Sequence, residues 1–131
     1  MTDDAAGGRH EINLCSAWLP PDPASGRAAW LRRFGRPAGI EPGDRVWLVI
    51  ESAVGGEARL GGEPLPPVPA GTVRRYDVTS MLGERNELTL AMGVTAAIVA
   101  VVAKHGRCEL PAAIGRVSLE IEPTPGLRQR A

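Results

Sequence analysis

Apolar and polar positions alternate along this chain with a period of two, in short runs cut by Gly, Pro and Asp. That period puts successive side chains on opposite faces of an extended segment, so each run predicts a strand with one buried and one solvated face. The clearest run is Asp44 to Glu51, where Val46, Leu48 and Ile50 form one face and Arg45, Trp47, Val49 and Glu51 the other. Upstream, Ile12, Leu14 and Trp18 alternate with polar or small residues until Pro20-Pro21-Asp22-Pro23 stops the strand. A second strand spans Arg27 to Arg36, with Trp30 and Phe34 sharing a face and Arg32 between them. Downstream come Glu57 to Leu60, Thr72 to Val78, and Asn86 to Met92 with Leu88, Leu90 and Met92 inward. The run 95 to 103 is next, and Val117, Leu119 and Ile121 mark the last strand, with Arg116, Ser118, Glu120 and Glu122 outward. Gly55-Gly56 and Gly61-Gly62 read as turns, the proline-rich stretch from Glu63 to Gly71 as a stiff loop, and Met81-Leu82 as a single turn capped by Thr79 or Ser80.

Eight short strands with turns between them predict an all-β fold, an antiparallel β-sandwich of the eight-stranded jelly-roll type. Composition points the same way. The chain of 131 residues has the length of one domain, its 44% apolar content is too high for disorder, and 16 Gly with 12 Pro are too many for a helical bundle. The domain is expected over 10–122, with 1–9 and 123–131 as loosely held ends. Fifteen basic residues balance fifteen acidic ones, so no net field gathers nucleic acid or anionic lipid, and both are disfavoured as partners. The start Met1-Thr2-Asp3-Asp4 lacks the positive charge and apolar stretch of an export signal, and Ala96 to Ala103 is far short of the roughly 20 apolar residues of a spanning helix. A cytoplasmic location is the expectation.

Segment 95–103 is apolar on both faces, with Ile98, Ala100 and Val102 on one and Ala97, Val99, Val101 and Ala103 on the other. A loop, the N-terminal segment or a second copy of the chain is expected to cover the second face, the last by self-association through Ala97, Val99 and Val101. Cys15 and Cys108 have neither a CxxC spacing nor a His cluster, so they read as free thiols, with a disulfide as the alternative.

Candidate chemistry is sparse. Sugar sites on β-sandwiches use an aromatic plate and a few polar groups aimed at hydroxyls. Trp47 projects from the face opposite Val46, Leu48 and Ile50 and is the plate candidate, unless a loop or partner chain covers it. Arg45, Glu51, Arg74 and Arg75 are candidates to line a polar surface beside it, or else belong to solvated strand faces. Together Trp47, Arg45, Glu51 and Arg74 form the candidate carbohydrate site. His10 and His105 have no metal-ligand spacing, and Asp44, Glu51 and Glu57 are too scattered for calcium, so no metal or cofactor is expected. Glu120 and Glu122 share a strand face without a pocket to separate their pKa values, and read as an exposed edge and not a catalytic pair.

Several segments in order resemble the N-terminal sugar-binding domain of family 2 glycoside hydrolases, the β-galactosidase and β-glucuronidase family. They are Ala29 to Pro37, Arg45 to Ile50, Ala58 to Leu65, Tyr76-Asp77-Val78-Thr79-Ser80-Met81-Leu82, Asn86-Glu87-Leu88-Thr89-Leu90, and Ile114 to Glu120. The aromatic followed by Asp-Val-Thr-x-x-Leu and then Asn-x-Leu-x-Leu is the most specific part. The resemblance implies a galactose-binding-domain-like jelly roll that recognises carbohydrate, with catalysis in a separate barrel domain for which 131 residues leave no room. A non-enzymatic recognition module is therefore expected, with a self-associating structural sandwich as the alternative. The family's Asn-Gly turn and following His/Gly-rich loop are replaced here by Gly61-Gly62 and Glu63 to Gly71. Asp77 and Thr79 are expected to bond backbone groups at a corner, a structural role.

Overall fold

Eight strands run through the described residues of the computed structural model, which are 10–21, 29–92, 109–111 and 114–123. They are β1 (His10–Asn13), β2 (Trp30–Gly35), β3 (Arg45–Ser52), β4 (Gly56–Leu60), β5 (Glu63–Pro64), β6 (Thr72–Asp77), β7 (Arg85–Met92) and β8 (Gly115–Glu122). Two four-stranded antiparallel sheets form, in the orders β1-β8-β3-β6 and β2-β7-β4-β5. Apart from the β4–β5 hairpin, each strand crosses to the sheet opposite its predecessor. That wrapping is a jelly roll, and the chain is an all-β antiparallel sandwich.

The period-two pattern explains the core. Val46, Leu48 and Ile50 of β3 and Val117, Leu119 and Ile121 of β8 are buried beneath the first sheet, with Trp30, Ala58, Leu60, Leu88 and Leu90 supplied by the second. Intervening positions on β3 and β8 lie on the outside of the first sheet, which makes that face polar and available for a site.

Three expectations are corrected. The first strand stops at Asn13, whose Oδ1 accepts a hydrogen bond from the Cys15 N–H at 2.6 Å. Ala17 then takes a left-handed φ of 64°, and Leu19 exchanges both backbone hydrogen bonds with Leu31 of the opposite sheet, at 2.8 and 2.9 Å. Leu14 and Trp18 are both buried, as their spacing predicts, but the chain changes sheets between them because periodicity reports burial and not the pairing partner. The stretch read as a stiff loop contains β5, and Val68 within it exchanges two backbone hydrogen bonds with Gly56. Pro64 is tolerated because β5 is an edge strand, where a missing N–H breaks no ladder. Glu120 and Glu122 lie on β8, which is flanked on both sides, so they are half-buried and not an exposed edge. Segment 95–103, with Ala97, Val99 and Val101, and His105 and Cys108 lie outside the described residues. Cys15 is a free, half-buried thiol whose Sγ accepts from the Val117 N–H at 3.4 Å.

Candidate functional site

Cross-strand register arranges the outer face of the first sheet into rows. Trp47 stands between Asp77 of β6 and Glu120 of β8, Val49 between Arg75 and Ser118, and Glu51 between Val73 and Arg116. β1 extends two of these rows, with Glu11 beside Glu120 and Asn13 beside Ser118. Directly opposed residues have Cβ atoms about 5 Å apart, so chemically complementary neighbours can bond across the strands.

One half of the face does so. Arg45 donates to Asp77 Oδ2 at 2.6 Å, and Arg75 to Glu120 Oε1 at 3.0 Å. The Arg75 guanidinium also lies 4.5 Å from the centre of the Trp47 ring, and the indole N–H donates to Glu122 Oε1 at 2.9 Å. Trp47 is thus half-buried, with one ring face covered and its N–H engaged. Among the described residues, this cover comes from the side chain of an adjacent strand. Exposed ion pairs and cation–π contacts are each worth about 1 kcal/mol or less, so this network chiefly fixes side-chain positions.

The other half is uncommitted. Among the described residues, the side chains of Glu11, Glu51, Arg116 and Ser118 make no hydrogen bond or ion pair, although Glu51 and Arg116 stand directly opposite each other. These side chains surround a depression of about 310 Å³ lined by Glu11, Asn13, Val49, Glu51, Arg116, Val117 and Ser118. The short Val49 and Ser118 form its floor, between the longer side chains of the rows on either side. Because the Asn13 carbonyl oxygen is held by Cys15, the carboxamide presents its NH2 as the free donor.

Of the sequence candidates, the structure brings Arg45, Trp47 and Glu51 onto one face, with Glu51 alone among them lining the depression. Arg74 is not brought there. It opposes the inward Ile50 and shares the inner face with Tyr76, at the sheet edge, so of the two arginines expected beside Trp47 it is Arg75 that stands there. The parity was readable from Tyr76, a buried aromatic two positions away. Asn13, Arg116 and Ser118 were missed as site residues because no local signal joins the first strand to the last; only the β1–β8–β3 pairing does. A broader hollow of about 760 Å³ lies against Arg33, Gly35, Gly61 and Glu87 on the second sheet, but there Arg33 and Glu87 satisfy each other at 3.1 Å. Among the described residues no group of three His, Cys, Asp or Glu side chains is placed to hold a metal ion.

Asp77 forms the corner expected of it. Its Oδ1 accepts from the Thr79 hydroxyl at 2.6 Å and from the Thr79 N–H at 3.1 Å, and Thr79 Oγ1 accepts from the Val46 N–H at 2.8 Å. The Thr79 hydroxyl first and then its N–H hold the Asp77 carboxyl below the usual aspartate range; burial opposes them, and Arg45 adds a lesser lowering. A lowered native pKa means that the ionised carboxylate stabilises the fold at neutral pH, and that this contribution is lost as pH falls through the native value. The stability difference between the wild type and Asp77→Asn, measured by urea titration, should therefore be present at pH 7 and shrink in acid. A difference independent of pH would remove this account. Burial pushes the Tyr76 phenol up from its ordinary range, and its hydroxyl donates to the Pro66 carbonyl at 2.7 Å, tying β6 to the loop after β5.

The fold and the face define a jelly-roll domain with a polar, partly uncommitted sheet surface. The sequence matches no protein-family model and no curated protein. Solved structures of similar fold include two β-glucuronidases. One, from Bifidobacterium dentium and complexed with coumarin-3-O-glucuronide, superposes with a TM-score of 0.60 and 19% identity, covering 88% of this chain and 30% of that one. The other, an FMN-binding β-glucuronidase from Facaelibacterium prausnitzii L2-6, gives a TM-score of 0.62 and 18% identity, covering 89% and 23%. At such identities the likeness is one of fold, and this chain spans less than a third of either enzyme.

Proposed function

We propose that this chain is a non-catalytic recognition module that binds carbohydrate in the depression between β1, β8 and β3. One observation carries the reading: the outer face divides into a half whose charged and aromatic groups satisfy one another, and a half where Glu11, Glu51, Arg116 and Ser118 surround a hollow with no side-chain partners among the described residues. Hydroxyl groups both donate and accept, and this hollow offers donors from Arg116 and Asn13, an acceptor in Glu51, and both in Ser118. The likeness in fold to part of two β-glucuronidases supports a module that accompanies sugar chemistry, and in that reading Arg45 and Trp47 hold the adjoining half of the face in shape without themselves stacking on the ligand.

A glycan array probed with the purified protein tests this. Binding should be saturable, retained by Arg59→Ala on the other sheet, and lost in Ser118→Leu, where a larger side chain fills the floor. Binding that survives Ser118→Leu in a folded protein would move the site elsewhere. The second reading, a structural or interaction sandwich, is favoured by the closed network around Trp47, which suits a supporting surface. Silence across the array together with concentration-dependent dimerisation in sedimentation would select it.

A further inference from the structure

Resting on the carbohydrate reading above, we infer that the depression selects neutral sugars bearing adjacent hydroxyls and rejects uronates. The argument lies in the Glu51–Arg116 pair. The two residues occupy directly opposed positions on β3 and β8, with Cβ atoms about 5 Å apart. Their side chains nevertheless form no ion pair, so one acceptor group and one donor group stand side by side at the end of the hollow.

Two adjacent hydroxyls suit that arrangement, one donating to the Glu51 carboxylate and its neighbour accepting from the Arg116 guanidinium. The next row repeats the pairing of donor and acceptor, with the Asn13 NH2 beside the Ser118 hydroxyl. A uronate carboxylate only accepts. Seated on Arg116, it would lie close to the Glu51 carboxylate, in a hollow whose lining holds two carboxylates, Glu11 and Glu51, against one guanidinium. Like charges about 4 Å apart weaken binding by about fivefold at the dielectric of water and by more at the lower effective dielectric of a protein surface, so about tenfold lies at the solvent-screened end of that range. The charges of the hollow therefore exclude the very group that a glucuronide carries, although the fold is shared with part of two β-glucuronidases.

The experiment uses the full chain on an array printed with matched pairs, each a neutral hexoside and its C6-oxidised uronoside, at two salt concentrations. The neutral member of a pair should bind about tenfold more strongly than its uronate. Glu51→Gln, an exposed substitution that keeps the shape, should raise the uronate signal and bring the pair closer together, and added salt should narrow the gap in the wild type. Equal or stronger binding of the uronates would overturn the selectivity while leaving carbohydrate recognition standing. An unchanged ratio in Glu51→Gln would overturn the role given to Glu51. Failure of every pair, neutral and uronate alike, by a folded protein would overturn the carbohydrate reading and this inference with it.

Discussion

Gly115→Ala should cost at least about 3 kcal/mol and largely unfold the domain, because a β-carbon there has no free space. Gly115 opens β8 opposite Ser52 with φ of 146°, and a Cβ built on it would collide with the Glu51 carbonyl oxygen and meet the Ser52 Cα at 2.9 Å. The obstruction is backbone, so no rotamer change relieves it; β3 and β8 would have to separate. These two strands are the centre of the first sheet and carry six buried core side chains, Val46, Leu48, Ile50, Val117, Leu119 and Ile121. Gly62→Ala is the control. Gly62 also has positive φ, at 87°, but nothing lies within 4 Å of its would-be Cβ, so the cost there is the conformational strain alone, about 1–2 kcal/mol. Chemical denaturation of both variants checks the contrast, and equal midpoints would sink the close-approach explanation. The same displacement would spread Glu51 from Arg116, so any residual folded Gly115→Ala protein should also lose the carbohydrate binding proposed for the depression.

The second large effect concerns the two buried tryptophans. Trp18→Ala should cost about 3–5 kcal/mol, as full truncation of a buried aromatic does. Trp18 is wholly buried, and its indole N–H donates to the Leu14 carbonyl at 2.6 Å, joining the end of the first strand to the crossing segment. Trp30 is equally enclosed on β2, yet among the described residues its indole N–H has no acceptor. An unsatisfied buried donor is itself destabilising, whereas removing a satisfied one leaves its acceptor without a partner. Replacement by Phe therefore separates the two sites: Trp18→Phe should be more destabilising than Trp30→Phe by about 1–3 kcal/mol. Thermal or urea melts of the pair decide it, and a Trp30→Phe variant as damaged as Trp18→Phe would contradict the bonding described.

Much of the fold is legible in the residues. β3 is readable almost to its ends, and so are the inward faces of β7 and β8, because a half-buried strand writes its environment in every second position. The Asp77–Thr79 corner is legible for a similar reason, since short polar side chains act on backbone only a few positions away. β5 was not, because its two residues are too few for a period and one is proline. The true course of the chain between Leu14 and Trp18 was hidden as well, since two successive buried positions look alike whether they serve one sheet or two.

The site divides along the same line. Trp47, Arg45 and Glu51 lie on one strand, and alternation alone puts them on one face. Whether that face is open was a matter for its neighbours: Arg75 covers the indole from β6, and Glu122 engages its N–H from β8. The depression is wholly a product of pairing, because Asn13 and Ser118 come from opposite ends of the chain and meet only when β1 lies against β8. By itself the sequence determined which faces of the clearest strands turn to the core and that the domain is a sandwich, since local periodicity carries that information. Which charges on the described face cancel and which stay unpartnered was decided by the tertiary structure, because cross-strand neighbours are set by register and register by the whole sheet.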